Sequence, residues 1–347
     1  MLRSKNKIAV FVSSGIGNVV LLVPLLRLLK KSPVNHVSII LTSSFVDKDF
    51  LIFNNFPFDE IIDLKKTKIW KLSNWNFFNK AYLDFSSSSM KNLILASYIS
   101  KKTFAYRKNK IPLPGINFVK PEINIHAAVL HARMIDESID ENNFSLDLMH
   151  LIPQNNPPEI IKKLKDSGLK IIVTQISSGN NKTRYKNWPI EYWIVFLKKV
   201  LTEYSGYYIV LLGDKNEIKL GSNVIREVNN QNIISFIGKT SLTEASAILY
   251  NSDFYIGLDS AFMHLAVAYD IPTFTIWGGS SFELFGYNKF DKQKHKIIFN
   301  DINCRPCNAW IGANTTRVKN PNKCPDFKCL YDLKPEIVFK KFKSLLA

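Results

Sequence analysis

Short apolar runs alternate with longer segments of helical period along the whole chain. In the first half, residues 7–13, 36–42, 60–64, 81–85 and 103–106 are brief and rich in β-branched or aromatic residues. Each precedes a segment whose apolar positions recur every three to four residues, so strands are followed by crossover helices and the sheet is parallel. After Pro153 and the Pro157–Pro158 pair the pattern restarts, with strands expected near 170–176, 207–213, 232–236, 253–258 and 272–277. Two similar α/β halves meet near residue 155. This predicts an N-terminal domain over 1–154, a C-terminal domain over 155–333 and a last helix over 334–347. Ligands of such sheets bind beyond the carboxyl ends of the strands, so the active site is expected in the cleft where the halves face each other.

A length of 347 residues agrees with two domains. Hydrophobic residues at 46% and charged residues at 22% exclude a disordered or fibrous chain. The most apolar run, VVLLVPLLRLL over 19–29, is broken by Pro24 and Arg27, so no membrane span is expected. The opening MLRSKNKIAVFVSSG has the basic-then-apolar order of an export signal, but no small-x-small cleavage site follows and the run continues as an amphipathic helix. The net charge of +17 is concentrated: between Lys65 and Lys110 there are eleven Lys or Arg and one acid, Asp84. Such a surface attracts phosphates on nucleic acid, anionic lipid or phosphorylated saccharide, although a lysine-rich proteome gives the same count. The stretch carries no motif that reads bases, so nucleic acid is not an expected partner.

Several short motifs sit where strands pass into helices. SSGIGNVVLLVPLLRLLKK, residues 13–31, places Gly15 and Gly17 at such a turn. A dinucleotide fingerprint would want a third glycine where Val20 stands, which weakens an NAD-dependent oxidoreductase reading. The turn is either plain punctuation or a place where a substrate group lies against the backbone. Gly257-Leu258-Asp259-Ser260 also ends a strand and opens a helix, where free N–H groups and the helix dipole favour an anion such as a diphosphate. Ser260 can add a hydroxyl, and His264, one turn on, can donate to a phosphate or a sugar; the plain alternatives are an N-cap and a core imidazole. Lys186, in Lys186-Asn187-Trp188-Pro189, precedes a helix that Pro189 starts well and can meet a phosphate, whereas Trp188 reads as core. Thr240 and Ser241 follow Gly238, and Ser241-Leu242-Thr243-Glu244 spells a capping box.

The order of SSGIGNVVLLVPLLRLLKK, KNWPIEYW and FIGKTSLTEASAILYNSDFYIGLDSAFMHLAVAYDIPTFTIWGGSS resembles glycosyltransferase family 9, the heptosyltransferases and their relatives. The DS-x-x-MHLA segment, with Asp253 six residues before Asp259, is the specific part of the match. The resemblance implies a GT-B architecture of two Rossmann-like domains. It assigns a nucleotide-sugar donor, first of all ADP-heptose, to the second half and the acceptor to the first, with Gly15 and Gly17 on the acceptor-side loop. It also implies a last helix crossing back toward the first half, and transfer without a divalent metal. Lys186 matches the lysine facing the donor phosphates, Thr240 a donor-side loop, and Asp259 a residue holding a sugar hydroxyl or the nucleotide. Many members carry aspartate where this chain has Asn18, and an amide cannot act as a base. Asp84, after the strand-like AYLDF, is the carboxylate that takes that role in our reading; its alternative is a cap on the next helix.

Cys304, Cys307, Cys324 and Cys329 form C-x2-C-x16-C-x4-C, the spacing of a structural tetrahedral zinc or iron site. Disulfides are the rival, disfavoured without an export signal. A similar finger binds iron in some branches of the family, although the last spacing differs here. The expected whole is a glycosyltransferase at the cytoplasmic side of a bacterial envelope, peripheral on the inner membrane face. Its expected partner is a lipopolysaccharide or related phosphorylated glycan or glycolipid acceptor. The alternatives are another nucleotide-sugar, a protein acceptor, or a silent nucleotide-sugar binder.

Overall fold

The computed structural model describes residues 6–13, 15–44, 46, 48–64, 77–106, 115–119, 122, 124–307 and 320–346. The chain divides into two compact units, the first ending at Leu151 and the second beginning at Ile152. Parts of the basic stretch, 65–76 and 107–110, lie outside the described residues.

In the first unit the strands are β1 (Asn6–Val12), β2 (Asn35–Leu41), β3 (Glu60–Asp63), β4 (Phe78–Leu83), β5 (Ser100–Tyr106) and β6 (Ile116–Val119). In the second they are β7 (Lys170–Thr174), β8 (Tyr207–Leu211), β9 (Ile233–Ser235), β10 (Phe254–Leu258), β11 (Thr273–Trp277) and β12 (His295–Phe299). The orders β3-β2-β1-β4-β5-β6 and β9-β8-β7-β10-β11-β12 are the same doubly wound topology, and each recorded pairing is parallel. Each sheet therefore has one switch point, at β1/β4 and at β7/β10. The interior strands are buried on both faces, as the continuous apolar runs IIV of β7 and FYIGL of β10 require. The sequence pattern omitted β6 and β12. Both are sheet-edge strands, of four and five residues.

Trp188 belongs to the core of the second unit, as read from the sequence: it is 2% exposed, meets Trp193 edge-to-face at 5.2 Å, and its Nε1 donates to Leu333 O at 2.8 Å. Its neighbour Pro189 caps helix Ile190–Glu203, and this anchor fixes where Lys186, just upstream, is held. The last helix, Pro335–Leu346, was expected to return toward the first half. It is grouped with the second unit, packs along helix Ile190–Glu203 and puts Val338, Phe339 and Phe342 into the core of that unit. No helix among the described residues is long and apolar enough to cross a membrane.

Candidate active site

The second switch point gathers the motif residues. Asp259 follows β10 and is 3% exposed; Lys186, from the 3-10 turn Asn180–Lys186, reaches its Oδ2 with Nζ at 2.7 Å. Burial pushes the Asp259 carboxyl up, but Lys186 and then His264 outweigh it, and the net value lies below the ordinary carboxylate range. Burial likewise pulls Lys186 down, yet Asp259 and Tyr185 lift it above its ordinary value, so both groups are charged at neutral pH.

Ser260 stands at the N-cap of helix Ala261–Ala268, but its hydroxyl does not cap. It is 3.0 Å from Tyr255 Oη, which reaches across Gly257; a Cβ there would sit 2.2 Å from that oxygen. The first-turn N–H groups of this helix consequently receive no side-chain cap and keep their attraction for an anion. His264 lies on the next turn, 5% exposed, with Nδ1 2.7 Å from Tyr287 Oη. Burial lowers it to about 4 against the pull of Asp259, so the imidazole is neutral and can donate one hydrogen bond.

Five of the buried polar atoms that lack a hydrogen-bond partner among the described residues lie at the carboxyl ends of the strands of this sheet. Thr174 Oγ1 and Gln175 Oε1 at the end of β7, Glu217 Oε1 after β8, and Ser280 Oγ after β11 are all buried without a partner. Asp259 Oδ2, beyond its ion pair with Lys186, has no well-directed hydrogen bond. Leaving such groups buried and unsatisfied costs about 1–3 kcal/mol each, which a polar ligand would relieve. Glu217, Gln175, Ser280 and Tyr255 were not singled out from the sequence. A signal existed for Glu217 alone: Asp214-x-x-Glu217 is a capping box, and Glu217 Oε2 accepts from Asp214 N at 3.0 Å while Oε1 stays unpartnered.

Ser241 and Glu244 form the capping box read from the sequence, directly after Thr240. Asp253 serves the opposite end of the sheet, its Oδ2 accepting from Ile171 N at 2.7 Å. The loop after β11 joins the site from the other side. Gly279 N donates to Tyr185 O at 2.7 Å, and a Cβ on Gly278 would lie 2.1 Å from the same carbonyl, so only glycine fits there.

In the first unit, Gly15 caps helix Ile16–Leu21, which carries Gly17 and Asn18; a Cβ on Gly15 would meet nothing within 4 Å, so the space over this turn is open. Asp84 follows β4 and is 3% exposed. Its carboxylate accepts from Ser86 Oγ at 2.7 Å, from Ser87 N at 2.6 Å and from Ser87 Oγ, the arrangement of a turn-capping aspartate. Tyr106 Oη and His131 Nδ1 are buried nearby with no hydrogen-bond partner among the described residues; burial lowers His131 to about 4, with Asp84 pulling the other way.

The four cysteines are free thiols in one neighbourhood. Burial pushes Cys329 up to about 12; Arg305 opposes this, and the other three cysteines add to it. Cys307 Sγ lies 3.4 Å from Cys304 O and Cys324 Sγ 3.5 Å from Asp326 Oδ1. Among the described residues no group of three or more His, Cys, Asp or Glu is arranged to hold a metal ion.

The two units carry parallel six-stranded sheets of one order, the α/β class expected of a GT-B fold. Residues 153–311 match the model of glycosyltransferase family 9 (heptosyltransferase). Lipooligosaccharide heptosyltransferase 2 of Campylobacter jejuni serotype O:2 is 26% identical over 98% of each chain. The solved ADP-heptose lps heptosyltransferase II of Escherichia coli superposes with a TM-score of 0.70, at 16% identity and 98% coverage of both chains. The iron-containing dodecameric glycosyltransferase TibC of enterotoxigenic E. coli gives a TM-score of 0.60 at 14% identity, over 99% of this chain and 77% of that one. The match to glycosyltransferase family 9 thus covers most of the second unit, and the full-length likeness to heptosyltransferases extends the same fold to the first.

Proposed function

We propose that the chain transfers heptose from ADP-heptose to a growing lipopolysaccharide or lipooligosaccharide. The observation that carries this reading is the set of buried, partner-poor oxygens on the loops after β7, β8, β10 and β11, beside Lys186 and an uncapped helix start. Together they offer acceptors for sugar and ribose hydroxyls and positive potential for a diphosphate. The names of the Campylobacter and E. coli relatives support heptose as the sugar and ADP as the nucleotide.

In the reaction, the acceptor hydroxyl oxygen bonds to the anomeric carbon, the bond from that carbon to the phosphate oxygen breaks, and the hydroxyl proton passes to a base. Lys186 and the N–H groups opening helix Ala261–Ala268 stabilise the charge that develops on the departing diphosphate. Asp259 holds Lys186 charged and in place, and neutral His264 donates to a phosphate or sugar oxygen. Asn18, beside Gly15 and Gly17, orients the acceptor. Asp84 is the carboxylate we assign to the proton, which requires its Ser86 and Ser87 contacts to give way to the substrate.

The four thiols are the residues that would hold one structural zinc or iron ion and would release protons on binding it: they are free, and the charges of the others help raise Cys307 and Cys329, although the described residues do not bring three of them into a metal-holding arrangement. The ion would tie Cys304 and Cys307 to Cys324 and Cys329, and the transfer step does not use it. The basic stretch is assigned to acceptor phosphates and to the anionic cytoplasmic membrane face. Helix Met90–Ile99 supports this: Met90, Ile94 and Tyr98, four residues apart, are 38%, 58% and 41% exposed, with Lys91, Lys101 and Lys102 exposed around them. The one acid of the stretch, Asp84, is buried, so the exposed charges of the stretch are all positive.

A thermal-shift comparison of ADP, UDP and GDP, followed by turnover with ADP-heptose, tests the reading. ADP should raise the unfolding temperature most and ADP-heptose should be consumed with acceptor present. Equal indifference to all three nucleotides would refute it.

A further inference from the structure

Arg305 sits inside the cysteine segment, between Cys304 and Cys307, and its side chain is directed to the loop after β11. Its Nε donates to Gly278 O at 2.5 Å, one terminal nitrogen to Ser280 O at 3.4 Å and the other to Asn300 O at 3.4 Å. The guanidinium plane lies over Phe299 at 4.9 Å and over Phe282 at 5.7 Å. A guanidinium half-withdrawn from water and directed to backbone carbonyls is an expensive way to fill space; a fork that fixes two carbonyls of one loop is something lysine cannot reproduce.

That loop carries the donor site. Gly279, between the two held carbonyls, donates its N–H to Tyr185 O at 2.7 Å, and the next residue is Lys186, whose Nζ meets Asp259 at 2.7 Å. Ser280, the other clamped residue, turns its buried Oγ toward the Asp259 carboxyl, without a well-directed hydrogen bond, and helps hold that carboxyl low. Cys307 N adds a second stitch, donating to Gly279 O at 2.5 Å. We propose that Arg305 is a positioning residue for the leaving group: through Gly278–Ser280 and Tyr185 it sets the ammonium of Lys186, and so couples the placement of the Cys304–Cys307 turn to diphosphate binding. This goes beyond the assigned transfer reaction, and it applies to any diphosphate-bearing donor.

The test is a double-mutant cycle on ADP binding by calorimetry with the full-length protein. R305K should weaken ADP roughly tenfold, the scale of one misplaced charge-assisted contact, and should raise the donor KM while lowering kcat. Metal content and far-UV circular dichroism should stay as in the unaltered protein. In a K186A background R305K should cost little further affinity, because the group it positions is gone. Full additivity of the two losses, or an R305K protein that binds ADP normally while only unfolding earlier, would overturn the proposal. If R305K does not fold, R305Q, which keeps one donor group without the fork, carries the same cycle with the same two outcomes.

Discussion

Replacing Lys186 by methionine separates what the Lys186–Asp259 pair does for the fold from what it does for the donor. The two charges are 2.7 Å apart, with side-chain exposures of 19% and 3%. At that distance their attraction is about 6 kcal/mol for an effective dielectric of about 20, and desolvation of both takes back a large part. Removing the cation alone leaves Asp259 buried and unpaired, a loss of about 3–5 kcal/mol. For a unit of this size that lowers the unfolding temperature by roughly 6–20 °C. The pH dependence has a definite sign. In the unaltered protein the Asp259 carboxyl lies below its ordinary 3.8, so its stabilisation is complete above that value and fades as the pH falls through the folded-state value. In K186M burial acts without its main opponent, the carboxyl moves up, and the deficit against the unaltered protein shrinks as acid protonates it. Adding D259N to K186M should recover most of the lost unfolding temperature, because no lone charge remains. ADP affinity should behave otherwise, falling roughly 10- to 100-fold in K186M and staying low in the double variant. Thermal unfolding at several pH values together with ADP calorimetry reads both. A K186M protein as stable as its parent at neutral pH, or a double variant that regains ADP affinity, would refute this account of the pair.

Three further outcomes are expected. D84N should lower the transfer rate by about 10²- to 10⁴-fold if Asp84 takes the acceptor proton, while N18D, which supplies a second carboxylate, should retain turnover; an undiminished rate in D84N removes the assignment. Protein purified without chelators should carry one equivalent of zinc or iron that is lost in C304S, and metal well below that amount in the parent would refute the four-thiol site. Binding to vesicles containing anionic lipid should weaken in I94E and fall with added salt, and salt-independent binding would contradict a charged docking face.

Both sheets were legible because parallel strands buried on two faces read as uninterrupted apolar runs, as in KIAVF and FYIGL. The edge strands INFV and HKIIF were not: each is only partly buried, and neither carries an uninterrupted buried run. At the site, Asp259, Ser260, His264 and Lys186 were legible because each adjoins a strand-to-helix junction, where backbone donors collect. What sequence could not give was pairing at a distance. Lys186 meets Asp259 across 73 positions of chain, Ser260 turns to Tyr255 instead of capping its own helix, and Arg305 reaches a glycine loop nearly thirty residues upstream. Asp84 shows the same limit locally: its position at a strand end was readable, but its capture by Ser86 and Ser87 is a matter of rotamers and turn geometry.

A crystal structure of the protein with ADP-heptose, or a non-transferable analogue of it, bears most directly on the central assignment. The account predicts the diphosphate at the opening of helix Ala261–Ala268, within hydrogen-bond distance of its first N–H groups and of Lys186 Nζ, with hydroxyls taking up Asp259 or Glu217. A nucleotide bound elsewhere, its diphosphate out of reach of Lys186 Nζ and that helix start untouched, would contradict it.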